Sequence, residues 1–349
     1  MKMPLRILLV VLCAVLIAAI PFIVSSPKML DNVQVDLMEE DGDEIDFGRL
    51  LLSCAAAEED LEVVELEEGQ LDPHPEWALP LDFTPGNTPD PDLYTDEGYE
   101  DETIRVKTEH RQLEEGTTAH IAWIQISDPS QIRTAVANPD KIKTSKSTPS
   151  ISTLAKKYNA VLAVNGDNYN SEAESKPLVY RMTQKVRNNM KSDKRDVLII
   201  DDQGDFHVTV RSRQAVVDIA NQLKEEGRKL VNAYSFGPTL VKDGELAELN
   251  PDYQYNPNRK NPRTAIGQTG KLSYVVVVVQ ASDREGRTGL THAELAGLMK
   301  DLGCISAYNM DGGNSSEMVF GPYMWKGSEN ADERGLNDAI YFATIKPEN

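Results

Sequence analysis

The stretch "KLSYVVVVVQ", Lys271 to Gln280, constrains the fold more than any other part of the chain. Consecutive valines are stiff at χ1 and suit a pleated surface, so the run predicts a central strand. Beyond it, Thr291 and Glu294 stand at the spacing of a capping box, which predicts a helix start. Leu295, Leu298, Met299 and Leu302 then fall on one helical face, and Gly303 is placed to stop the helix. "CISAYNM" follows as a second strand. The order is strand, helix, strand, and it delivers "NMDGGNSSEMVF" with Asp311 at a strand tip. Ligands often gather beyond the carboxyl ends of strands, a rule drawn from open parallel sheets.

Upstream the texture is similar. "HIAWIQIS", His120 to Ser127, alternates with the period of a half-buried strand. "SISTLAKKYNAVLAVNGDNYN" reads as a short helix and an apolar strand, Val161 to Val164. "DVLIIDDQGDFHVTV" reads as a hairpin turning at Asp202-Gln203-Gly204-Asp205. Val216, Ile219, Ala220 and Leu223 are spaced for a helix that ends near Gly227.

The first hundred residues differ. Lys2 and Arg6 precede an uncharged apolar run from Ile7 to Val24, the lower limit of a membrane-spanning helix. Positive charge before the run and acid after it place the N-terminus in the cytoplasm. A cleaved signal peptide is the rival expectation, and both send the rest of the chain out of the cytoplasm. Between Asp31 and Arg105 there are 25 Asp or Glu and two basic residues, against a net charge of -20 for the whole chain. The remainder is therefore close to neutral and carries no basic footprint for nucleic acid. Prolines from Asp72 to Asp92 exclude a long helix there. The segment is expected to be an extended, largely disordered stalk, with Phe47 to Gly69 as a local helix former.

Three cysteines support no disulfide framework, and the five histidines show no zinc-ligand spacing. Three polar clusters sit at the ends of expected strands. They are Asn165-Gly166-Asp167-Asn168, Asn261-Pro262-Arg263-Thr264, and Asp311-Gly312-Gly313-Asn314-Ser315-Ser316. Each alone is what an ordinary turn looks like. Together they supply a planar guanidinium, carboxylates, glycine-flanked amides and hydroxyls, a set suited to a phosphorylated sugar. A nucleophilic cysteine motif, a G-x-S-x-G elbow and a P-loop are absent from the sequence.

"AVNGDNYN", "FGPTLVKDGE", "NPRTAIGQ", "GLTHAELAGLMKDLGCISAYNMDGGNSSEM" and "ERGLNDAIYF" occur in that order. In this the chain resembles the phosphodiester glycosidase family, which has lysosomal and bacterial envelope members, some related to exopolysaccharides. The resemblance runs from about Thr117 to Lys346. Two departures stand out. Asn314 replaces the third glycine of the family's Asp-Gly-Gly-Gly-Ser-Ser, and asparagine is the next residue most tolerant of a positive φ. The family's compact Asp-Gly-Arg after the long strand is drawn out here to "ASDREGRTG".

The resemblance implies an α+β fold of mixed, twisted sheets with a few packed helices. The expected organisation is 1–27 as membrane anchor or signal segment, 28–104 as acidic stalk, and 105–349 as the family domain. It implies hydrolysis of a sugar-1-phosphodiester link in an envelope or exopolysaccharide glycan, outside the cytoplasm. Asp311 is the expected catalytic carboxylate, Asp167 the second candidate, and Arg263 the phosphate holder. Asn165, Gly166, Asn261, Thr264, Gly312, Gly313, Asn314, Ser315 and Ser316 are expected to bind substrate. No cofactor is assigned, and a divalent cation shared by Asp167 and Asp311 stays open. The expected partners are the glycan substrate and the membrane. The alternative is a cell-surface glycan-binding module of the same fold without turnover.

Overall fold

The computed structural model describes residues 70–142, 147–167, 178–188, 195–253, 256–281, 288–327 and 332–347. All of them lie in the unit Leu66–Asn349. The N-terminal apolar run, the stretch Phe47 to Gly69, Asn168 and residues 282–287 lie outside the described residues.

The valine run is the strand Ser273–Ala281, and it sits inside an eight-stranded sheet. Its neighbours are Thr117–Ile126 on one side and Arg263–Gly270 on the other, both antiparallel to it. Val276 and Val278 face one apolar cluster with Ile266 and Tyr308. Val275, Val277 and Val279 face another with Leu295 and Met299. A strand buried on both faces needs apolar residues at every position, which is why the run is unbroken. Each such valine contributes roughly 1.5–3 kcal/mol by leaving water.

The helix on the outer face is His292–Asp301, and the capping box of Thr291 and Glu294 is formed. Gly303, at φ +84, ends it in the left-handed region that a Cβ disfavours. The chain then returns as Ser306–Asn309, but not beside the valine strand. Arg263–Gly270 lies between the two and pairs with both. That insertion brings the start of one strand, at Arg263, beside the end of another, at Asn309.

Two five-stranded sheets complete the fold. One has the order Tyr323–Lys326, Glu317–Phe320, Ala160–Asn165, Asp338–Ala343, Ile132–Val136, and the helix Ile151–Lys157 packs on it. The other runs Gln184–Asn188, Leu178–Arg181, Leu230–Tyr234, Leu198–Asp201, Phe206–Val208, under the helix Arg213–Glu225. The expected hairpin at Asp202 to Asp205 is the link between its last two strands. The three sheets share one core in which Ala122 and Ile266 meet Val164, Phe320 and Ile340, together with Leu198 and Phe206. The α+β expectation holds in this form, with strands dominant. Among the described residues no helix is long and apolar enough to cross a membrane.

The stalk expectation needs correcting from residue 70 onward. Residues 70–104 are laid against the folded unit rather than extended away from it. The fully buried Arg133 donates from Nη2 to the carbonyl oxygens of Pro80, Asp82 and Thr84. The Asn87 amide donates to Ile345 and Lys346, and the Tyr94 hydroxyl to Val161. Gly98–Glu100 then joins the edge of the large sheet. Proline removes backbone N–H donors. The carbonyl oxygens of an extended proline-rich segment remain acceptors, and one buried guanidinium collects three of them.

Candidate active site

Three strand ends meet around the side chain of Asn165, which is fully buried at the end of Ala160–Asn165. Its Nδ2 donates to the carbonyl of Asp311 at 2.7 Å. Its Oδ1 accepts from the Thr264 hydroxyl at 2.7 Å and from the Glu317 N–H at 3.2 Å. The clusters that lie far apart in sequence are thus joined through one amide. Asn165, expected to touch substrate, spends both polar atoms holding the protein segments together.

Asp311 is half-buried at the tip of Ser306–Asn309, and its Oδ1 accepts the Gly312 N–H at 2.9 Å. A close approach dictates the glycine that follows: a Cβ on Gly312 would stand 3.0 Å from the Pro262 carbonyl oxygen. Gly313 has φ +63 and donates to Pro262 at 2.9 Å. The left-handed residue of the turn is therefore Gly313. Asn314 has no positive φ, so its substitution for glycine costs no backbone strain. The expected anion-facing amides are largely committed. Ser315 N–H donates to Gly312 and Ser316 N–H to Gly313, each at 3.1 Å. Asn314 is exposed, and Ser315 and Ser316 are buried. Among the described residues the Ser316 hydroxyl has no hydrogen-bond partner.

Gly166, the residue before Asp167, accepts the Asp311 N–H at 3.4 Å, but the Asp167 side chain is turned into a buried ion-pair group. It is fully buried, with Oδ1 paired to Arg181 Nη2 at 2.5 Å and Oδ2 accepting the Ser235 N–H at 2.9 Å. Arg181 also pairs through Nε with Asp338 and lies over the Tyr234 ring. The two carboxylates raise the Arg181 pKa against the opposing effect of burial. This is a sealed ion-pair group. It gives the carboxylate expected as the second catalytic candidate a structural occupation. Gly166 is fixed by the same group, since a Cβ there would fall 1.9 Å from Asp338 Oδ1. Among the described residues no group of three or more His, Cys, Asp or Glu side chains could hold a metal.

Arg263 is also turned to another task. Its Nε donates to Leu290 O at 3.0 Å, and its Nη2 to Asn256 O and Arg259 O at 2.9 Å each. Its Nη1 donates to His292 Nε2 at 2.9 Å. The fork organises the backbone of residues 256–261, including Asn261, whose N–H and carbonyl pair with Leu290. Burial pulls the Arg263 pKa down to about 10. Burial, then the Arg263 charge, pushes His292 down to about 3. His292 is therefore neutral, and because Nε2 accepts, its proton is on Nδ1, a buried donor with no partner among the described residues.

Sequence reasoning missed three more groups. Glu317 is 3 % exposed, hydrogen-bonds Glu333, and has its pKa pushed up to about 9 by burial and then by Glu333. Glu333 accepts from Ser152 N–H and Oγ at 2.7 Å each. Arg334 is exposed and donates from Nη1 to Ser315 Oγ at 3.1 Å. The only hint of the first was an acidic residue at the start of an otherwise apolar strand, "EMVF". The other two, Glu333 and Arg334, meet residues distant in sequence, Ser152 and Ser315.

The fold is thus three antiparallel sheets, with a half-buried carboxylate presented on a glycine turn where strand ends meet. The chain belongs to the phosphodiester glycosidase family, which it matches over residues 158–343. It is similar to the SPbeta prophage-derived uncharacterized protein YomE of Bacillus subtilis (strain 168), at 28 % identity over 190 residues. That match covers 54 % of this chain and 28 % of YomE, so the chain spans well under a third of that relative's length. Among solved structures it is similar to the zebrafish N-acetylglucosamine-1-phosphodiester alpha-N-acetylglucosaminidase catalytic domain, auto-inhibited by its pro-peptide. The TM-score is 0.52 at 15 % identity, covering 69 % of this chain and 83 % of that one. That likeness is one of fold.

Proposed function

We propose that the chain hydrolyses the bond between the anomeric carbon of a sugar and a phosphodiester oxygen. The observation that carries this is the placement of Asp311. Its backbone is clamped by Asn165, its carboxylate is oriented by the Gly312 N–H, and it remains half-buried rather than sealed.

The leaving group is a phosphate monoester, which departs without strong protonation. The demand on the protein is to stabilise an oxocarbenium-like centre and to admit water. Asp311 supplies the negative charge for both. Water adds to the anomeric carbon, the bond from that carbon to the phosphate oxygen breaks, and one proton from the water passes to the carboxylate. The Thr264–Asn165 contact sets where Asp311 stands, and each tenfold in rate corresponds to about 1.4 kcal/mol of the barrier.

The substrate is an envelope or exopolysaccharide glycan, and the domain works outside the cytoplasm, tethered by the apolar N-terminal run. These follow from the charges flanking Ile7 to Val24 and from the character of the family. Incubating the full chain with synthetic sugar-1-phosphodiesters tests the reaction. Release of free sugar and phosphomonoester in equal amounts supports it. Saturable binding without product would mark the chain as a glycan-binding module instead.

A further inference from the structure

The phosphodiester needs a cationic partner, and Arg263 is occupied with carbonyl groups and His292. The N–H groups of the glycine turn are mostly spent inside the turn. We infer that Arg334, with the hydroxyls of Ser315 and Ser316, forms the subsite that holds the phosphodiester oxygens. This rests on the reading of Asp311 as the reacting carboxylate.

Arg334 reaches the Asp311 turn directly. Its Nη1 donates to Ser315 Oγ at 3.1 Å, and Ser315 closes a turn with Gly312, the residue after Asp311. That is its one hydrogen bond among the described residues, and it has no ion pair there. The remaining N–H groups of its planar fork stay available, which suits two phosphate oxygens at once. The neighbouring Ser316 is 1 % exposed, and among the described residues its hydroxyl has no hydrogen-bond partner.

The backbone under Arg334 is fixed on both sides. Before it, Glu333 grips Ser152 through both carboxylate oxygens and hydrogen-bonds Glu317, whose own N–H is held by Asn165. After it, a Cβ on Gly335 would stand 2.0 Å from the Thr148 carbonyl oxygen, and Leu336 N–H donates to Pro149 at 2.9 Å. A rigid base carrying an exposed guanidinium is what a preorganised anion subsite requires. The Glu333–Glu317 contact makes these two positioning residues. Their shared hydrogen bond ties the Arg334 segment to the strand that starts at the Asp311 turn.

The test uses the full-length chain and inorganic phosphate as probe, titrated by 31P NMR against the native protein, Arg334→Gln and Arg334→Lys. Circular dichroism checks that each variant keeps the fold, which an exposed residue permits. Phosphate binding should weaken by about tenfold or more in Arg334→Gln, with Arg334→Lys intermediate because it keeps the charge and loses the fork. Binding by Arg334→Gln equal to the native protein, or no binding by the native protein, overturns the subsite. Turnover of a sugar-1-phosphodiester is measured separately. Its failure counts against the proposed reaction while leaving the phosphate result standing.

Discussion

The side-chain amide of Asn165 donates a 2.7 Å hydrogen bond to the carbonyl of Asp311, across 146 residues of sequence. Asn165→Ala removes that bond and leaves the Thr264 hydroxyl and the Glu317 N–H without their buried acceptor. Stability should fall by about 3 kcal/mol, the cost of a few unsatisfied buried groups. Turnover should fall further than stability alone explains, because the Asp311 turn loses its anchor. Urea midpoints beside kcat/KM, measured well below the midpoint, check both.

Glu317 predicts a loss of stability in alkali. In the unfolded chain it titrates near 4.5, and in the folded chain near 9. Between those values the folded state keeps a proton that the unfolded state releases, so stability declines as pH rises through the window and levels off above it. Glu317→Gln keeps a hydrogen-bond donor for Glu333 and has no proton to lose. The stability difference between variant and native protein should grow in the variant's favour from pH 5 to pH 9. A constant difference in chemical-denaturation midpoints would refute it.

His292 predicts the opposite limb. Its folded pKa of about 3 lies below the ordinary 6.5, so the folded state stays neutral while the unfolded state gains a proton. The contribution of this group is complete above about pH 6.5 and is lost as pH falls toward 3. His292→Gln, which can still accept from Arg263, should lose less stability on acidification than the native protein. Thermal melts across that range decide the point.

Gly327 fills a place where no side chain fits. A Cβ there would lie 2.6 Å from both Pro262 Cβ and Ser316 Cβ. Gly327→Ala should therefore push the Asp311 turn away from Pro262, at a cost of about 1–3 kcal/mol for overpacking. Activity should drop more than in an alanine substitution at the exposed Met324 on the same hairpin. Equal activities in the two variants would show that the turn tolerates the shift.

The elements that could be read from the sequence were those with a local cause. The valine strand, the capped helix from His292 and the hairpin at Asp202 each carry their signal within a few residues. The polar clusters at strand ends could be read as clusters, whereas the hydrogen bonds that join Asn165 to Thr264 and to Asp311 are tertiary. What remained hidden was the partner of each charge. Asp167 and Arg263 have residue types suited to catalysis, yet the first is paired with Arg181 and the second with backbone carbonyls. Arg181 and Arg133 look like ordinary strand arginines in the sequence, and both are fully buried. A side chain's type is local, whereas its partner is decided by tertiary contacts that no periodicity records.

The proposed reaction turns on Asp311. Its carboxylate is oriented by the Gly312 N–H and is half-buried at the turn. Asp311→Asn keeps the size and the acceptor for Gly312, so the fold should survive. The decisive measurement is kcat on a sugar-1-phosphodiester for this variant against the native chain. A loss of about a thousandfold or more, with an unchanged melting temperature, is the predicted result. Turnover within a few-fold of the native value would contradict the assignment and, with it, the mechanism.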